Sequence, residues 1–373
     1  MQLTATRRAA IALALCAVST LAVQGMALPA AHASTPAPGK AGTVAGIETA
    51  AARALAASLA DPAWRAQVRT AALGSDQVDL GVLAARTAAP AGLNSAVAGA
   101  DRRIATAKGL DPAAGSLLRL RLGTDSMRKT LTRDAAPLVA VAADDDSSAT
   151  VTAYDSSGRT HTLSARTAPR QAVYVVDIDV TKAVSAGLAQ VDKAFTKAGL
   201  AAPATVTPNT DGFWTTRVDS VYLNDDEEPW ILGDAEIFSI VSGFGLDGKV
   251  RVDTVDMPYL DNDHTTYYPN QILVNWSSYK YNLADVVMME DDGDTNYATL
   301  AKALADALLT ITDQGAYIPL VDAILAAIPS SWYTNDADYV DSWYTLAESS
   351  TGRLNGARGN GWMSVSPYYV QGL

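Results

Sequence analysis

The feature that most constrains this chain is its single cysteine, Cys16, which lies in an apolar leader. Arg7 and Arg8 precede an apolar run from Ala9 to Val23, and Ala31-His32-Ala33 before Ser34 has the small-x-small form of a cleavage site. That order is the signature of a secretory signal peptide over residues 1–33, so the expected location is extracellular after cleavage near Ala33. The run falls short of the about 20 apolar residues that span a membrane, and no later stretch reaches that length, so no transmembrane segment is expected. With the leader removed no cysteine remains, which excludes disulfides, thiol nucleophiles and thiolate metal sites. Outside the cell such a chain must rely on its hydrophobic core or on a bound metal ion.

Charge divides the chain. From Asp211 to Leu373 there are 7 Lys and Arg against 25 Asp and Glu, a net of −18, whereas Ser34 to Thr210 carries a net of +4. So acidic a C-terminal half repels nucleic acid and anionic lipid and attracts divalent cations. Residues 34–136 are rich in Ala, Leu and Arg. Ile47, Ala51, Ala54, Leu55 and Leu59 recur at helical spacing, and Asp61-Pro62 and Asp111-Pro112 are helix starts, so this region is expected to be helical. Residues 137–204 read as a small α+β segment of four short strand-like runs, then a helix from Val180 to Ala198 with Val184, Leu188, Val191 and Phe195 on one stripe. Residues 205–373 hold seven strand candidates, beginning with Thr215 to Leu223, and a helical insertion around Leu300 to Leu308. The fold expected is α+β, ending in an antiparallel, C2-like β-sandwich.

The acids of this last domain collect at strand ends. One segment runs from Asn224 through Asp225, Asp226, Glu227 and Glu228 to Asp234 and Glu236. A second is Glu290-Asp291-Asp292-Gly293-Asp294, and a third carries Asp336, Asp338 and Asp341. Asp256, Asp261 and Asp263 form a looser fourth group. Carboxylates packed closely repel one another and raise one another's pKa. Calcium relieves this by taking six to eight oxygens at about 2.3–2.6 Å, from residues remote in sequence. The expected metal ligands are therefore Asp225, Asp226, Asp234, Glu236, Glu290, Asp291, Asp292, Asp294, Asp336, Asp338 and Asp341. None of the loops has the spacing of an EF-hand, and solvated acidic turns are the alternative.

No zinc His-Glu-x-x-His pair, nucleophile elbow or phosphate-binding Gly loop is present. The leading expectation is a non-catalytic secreted module, stapled by calcium, that binds a surface, protein or glycan partner. The alternative is a secreted hydrolase using acidic residues near His264, Glu236 among them. A third arrangement makes residues 34 to about 205 a folding aid. Trp214, Trp230, Trp276, Trp332, Trp343 and Trp362 are either core or a glycan platform.

The run Tyr222-Leu223-Asn224-Asp225-Asp226-Glu227-Glu228-Pro229-Trp230, then Gly233-Asp234-Ala235-Glu236-Ile237-Phe238, resembles an uncharacterised family of secreted bacterial proteins, a 3103-type domain of unknown function. Met289 to Asp294 and Asn335 to Asp341 are similar to segments of that type, and the likeness is strongest from about Val218 to Val370. The resemblance implies no activity, and it supports only the acidic positions as site candidates.

Overall fold

The computed structural model describes residues 43–133, 135–142, 149–201, 212–224, 236–262, 264–291, 295–328 and 339–372. Asx and Thr caps start most of the helices in the first half. The Thr43 hydroxyl accepts from the Gly46 N–H at the head of α1 (Val44–Ser58). Asp61 does the same for α2 (Pro62–Gly74), where Pro62 occupies a first-turn position that needs no N–H. A short strand, β1 (Gln77–Asp79), leads through the cap Asp79 into α3 (Leu80–Arg86), and α4 (Leu93–Ala107) follows.

The first half is not purely helical, which corrects the expectation for residues 34–136. Leu118-Arg119-Leu120-Arg121-Leu122 forms β2 (Leu118–Leu122) with every residue buried. It joins β1 and four later strands: β3 (Leu138–Val141), β4 (Thr150–Tyr154), β5 (Thr160–Ser164) and β6 (Val173–Ile178). The six-stranded sheet has the order β1-β2-β6-β3-β4-β5, antiparallel except where β3 meets β6. It therefore takes strands from both sides of residue 136. Then α5 (Val180–Ala198), capped by Asp179, stops at Gly199, whose φ of +77° suits the left-handed C-terminal position.

The second half is built of β7 (Phe213–Leu223), β8 (Ile237–Gly245), β9 (Val250–Asp256), β10 (Thr266–Tyr267), β11 (Gln271–Asn275) and β12 (Tyr279–Glu290), then α6 (Tyr297–Leu308) and α7 (Val321–Ala327), then β13 (Tyr339–Ala347), β14 (Gly352–Asn355) and β15 (Gly361–Val370). One sheet has the order β10-β7-β15-β14 with β11 also on β7; the other is β13-β12-β8-β9. Val218, Val221, Met363 and Val365 of the first share one core with Val241, Val286, Met288 and Trp343 of the second. On its other face the four-stranded sheet sends Phe238, Ile240, Val252, Val287 and Met289 into the larger core that holds the helices and the six-stranded sheet. Burial on both faces explains why all nine residues of β8 are buried and why its sequence lacks polar alternation. The protein is α+β, with seven α-helices among the described residues. None of these helices is long and apolar enough to cross a membrane.

The docking of α5 on α6 depends on Gly187. A Cβ there would fall inside van der Waals contact of the Tyr297 ring. Gly187→Ala gains at most about 1 kcal/mol of helix propensity, while overpacking costs about 1–3 kcal/mol. A lower melting temperature by circular dichroism is the expected result; an unchanged or higher one would show that the ring yields freely.

Candidate functional site

The strands that flank the acidic segments end side by side. β8 begins at Ile237, just after the first segment, and β12 ends at Glu290, where the second begins. β13 begins at Tyr339, just after Asp338, and β9 ends at Asp256 of the looser group. The registers Met289 with Tyr339, Glu290 with Ile237 and Phe238 with Asp256 put these four termini in one row at one end of the sheet. Asp225, Asp226, Asp234, Asp292, Asp294, Asp336 and Asp338 lie outside the described residues. Glu236, Glu290, Asp291 and Asp341 are described, and all four are buried. Among the described residues no group of three or more His, Cys, Asp or Glu is placed to hold a metal ion.

Glu236, Glu290 and Asp291 come together through the backbone, since the Asp291 N–H donates to the Glu236 carbonyl at 3.1 Å. Their charge is met from the first half of the chain. Lys108, the residue that ends α4, places Nζ 3.1 Å from the Asp291 carboxylate, and both side chains are wholly buried. Lys108 is fixed by its surroundings. Its carbonyl accepts the Tyr297 N–H at 3.0 Å, and the Asn296 side chain donates to the Ala107 carbonyl at 2.6 Å while capping α6. Gly109 follows at φ +64°, where a Cβ would press on Asn296 and Ala298. Burial pushes the Asp291 carboxyl above its usual range, and Lys108 only partly opposes this. Burial also holds the Tyr297 phenol well above its ordinary pKa, with Asp291, Glu290 and Glu236 adding to it.

Two further cations come from β2. Arg119 lies opposite Asp177 in register and approaches its carboxylate at 3.3 Å; Arg121 reaches the same oxygen at 3.6 Å. Burial disfavours the Arg119 charge, but Asp177, Glu236 and Asp179 outweigh it and hold the guanidinium firmly protonated. The Thr181 hydroxyl donates to Glu236 at 3.4 Å. None of Lys108, Arg119 and Arg121 was singled out from the sequence. The alternating Leu-Arg-Leu-Arg-Leu pattern is the signal that could have found two of them.

Asp341 is engaged differently. Its carboxylate accepts the backbone N–H groups of Ser342 and Arg358 at 2.8 Å and of Gly361 at 2.9 Å. A Cβ on Gly356 would run into that carboxylate. Asp341 thus organises the turn between β14 and β15.

A family model described as a protein of unknown function (DUF3103) matches residues 51–372. The chain belongs to this family. No curated protein and no solved structure matches it. The DUF3103 match begins inside α1 and takes in both halves, so Lys108, Arg119 and Asp177 fall within it together with Glu236, Glu290 and Asp291.

The other residues read from the sequence of this DUF3103 chain are dispersed. His264, at φ +54°, packs its ring against Tyr222, with the Tyr222 hydroxyl 3.3 Å from Nδ1. Tyr222 stacks in turn on Trp362, and the Arg353 guanidinium lies 4.2 Å over the Trp362 ring. This cross-strand row covers its own ring faces and stabilises the five-stranded sheet. His264 therefore sits on that sheet, whereas Glu236 is buried beside the other. Trp276 and Trp343 are core residues, Trp214 is exposed, and Trp230 and Trp332 lie outside the described residues.

Proposed function

We propose that the chain is an exported, non-catalytic module whose acidic sheet end takes up calcium, and that its two C-terminal sheets form a sandwich of C2-like kind. The observation that carries this reading is the single row of strand termini to which all four acidic segments attach. Loops that start from neighbouring strand ends can bring oxygens from distant parts of the sequence within reach of one ion. The reading assigns direct coordination to the acids of 225–234, 292–294 and 336–338, with Glu236 and Glu290 at the floor. It leaves Asp291 to Lys108 and Asp341 to the backbone. A chain without disulfides gains stability from such a link, because an ion bound only by the folded state stabilises it by mass action.

The test is thermal melting of residues 34–373 with calcium and with chelator. At a calcium concentration about 100 times the dissociation constant the gain is about 2.7 kcal/mol. A melting temperature several degrees higher in calcium, with magnesium much less effective, is expected. Superimposable melts in calcium and chelator would falsify the reading.

A further inference from the structure

The two C-terminal sheets part at the end opposite the acidic row. From Glu290 back to Leu283 along β12 is about 23 Å of strand at 3.3 Å per residue. There a cleft of about 500 Å³ opens, with Trp214 and Pro367 on one wall and Asn282, Leu283, Glu348 and Ser349 on the other.

Trp214 is held, yet 47% exposed. It lies two residues before Thr216, whose hydroxyl accepts the Trp276 indole N–H at 2.9 Å inside the core. Strand alternation therefore sends the Trp214 side chain toward the same inner face, at the mouth of the cleft. Tyr369, its partner in register, meets the indole edge-on with centroids 5.2 Å apart. Tyr369 is seated on Gly212, where a Cβ would come within 2.6 Å of the phenol oxygen. The ring is clamped from the side and its remaining surface is open.

The opposite wall is held by its backbone. Asn282, which lines it, has φ +52°, and Thr345, on the paired strand β13 and outside the lining, has φ +56°. For a β-branched residue such as Thr345 this is a true outlier, which persists only where the surroundings enforce it. They do so here: the buried Asp285 carboxylate accepts the Thr345 N–H at 2.7 Å and the Leu320 N–H at 2.5 Å. Asn282 is tied to Glu348 twice, through its carbonyl to the Glu348 N–H at 3.0 Å and through its side-chain amide to the Glu348 carboxylate. The result is a fixed acceptor and donor pair facing an open indole.

We propose that this cleft binds neutral hexose units of a glycan. The apolar C–H face of a pyranose ring stacks on Trp214, and its hydroxyls donate to Glu348 and accept from Asn282 and Ser349. Anionic ligands are disfavoured, since the described lining contains Glu348 and neither Lys nor Arg. A cation would use acceptors alone and leave the Ser349 hydroxyl and the second Asn282 N–H without a role. An apolar side chain would use none of these polar groups. The proposal names a ligand class for the module without depending on the calcium reading.

The experiment titrates residues 34–373 with neutral gluco-, manno-, xylo- and chito-oligosaccharides, followed by tryptophan fluorescence and calorimetry, once with calcium and once with chelator. Saturable binding of at least one series is expected. Trp214→Ala should weaken it by about tenfold, and Glu348→Gln should weaken it less. Trp214 is exposed, so its variant should melt with the native chain. Trp214→Phe should retain part of the affinity. Sugar binding that persists in chelator sustains the proposal even where the calcium reading fails. No saturation by any series up to about 10 mM, affinity unchanged in Trp214→Ala, or saturation by tetramethylammonium and not by sugars would each overturn it.

Discussion

Lys108→Met lowers the stability of the folded chain by about 3–5 kcal/mol, because it leaves the Asp291 carboxylate buried without its countercharge. Methionine preserves most of the lysine stem, so the loss is electrostatic and not a packing void. The pH dependence separates the two. Burial already raises the Asp291 pKa in the native chain, and removing Lys108 raises it further. A carboxyl whose folded pKa lies above its unfolded value near 3.9 binds its proton more tightly when folded. The variant's penalty is therefore small below about pH 4 and grows as pH rises through the folded value. Chemical denaturation should show a wide gap between variant and native chain near neutral pH and a narrow one near pH 4. Adding Asp291→Asn to Lys108→Met removes the stranded charge and should restore much of the loss. A gap independent of pH, or a double variant no better than the single one, would mean that Lys108 contributes by packing instead.

This ion pair was invisible in the sequence, and the reason is general. Lys108 ends a helix and Asp291 follows a strand 183 residues later. Nothing local to either residue announces that the two are buried together. Much else was legible. Alternation placed β7, expected over Thr215 to Leu223, within two residues of its observed bounds, and the helical stripe of Val184, Leu188, Val191 and Phe195 placed α5 from Val180 to Ala198. The placing of acids at strand ends was legible too, and Glu236, Glu290 and Asp291 lie there. β2 was not legible, because two arginines in five residues look like a solvated helix face until Asp177 is seen opposite Arg119. The backbone partners of Asp341 were not legible either, because they lie far along the chain. Asp341 is already inside β13, and its carboxylate meets the Ser342 N–H and those of Arg358 and Gly361, 17 and 20 residues further along the chain.

That difference makes Asp341→Ala the second large effect, with an expected loss of about 3 kcal/mol. The carboxylate is fully buried, so the N–H groups of Arg358 and Gly361 lose their acceptor in a place that water reaches poorly. Each stranded buried donor costs about 1–3 kcal/mol, and the Ser342 N–H adds to the sum where it is not re-paired. The damage is local in kind. Hydrogen exchange should show lost protection at Arg358 and Gly361, while α5 and the six-stranded sheet exchange as before. Gly356→Ala should reproduce the pattern from the other side, because its methyl group would occupy the carboxylate's position. The same variant separates two roles for this residue. If Asp341 serves the turn, the melting temperature of Asp341→Ala is lower overall, yet its shift between calcium and chelator equals that of the native chain. A shift that vanishes in Asp341→Ala, with Arg358 and Gly361 still protected, would assign the carboxylate to the ion and remove it from the turn.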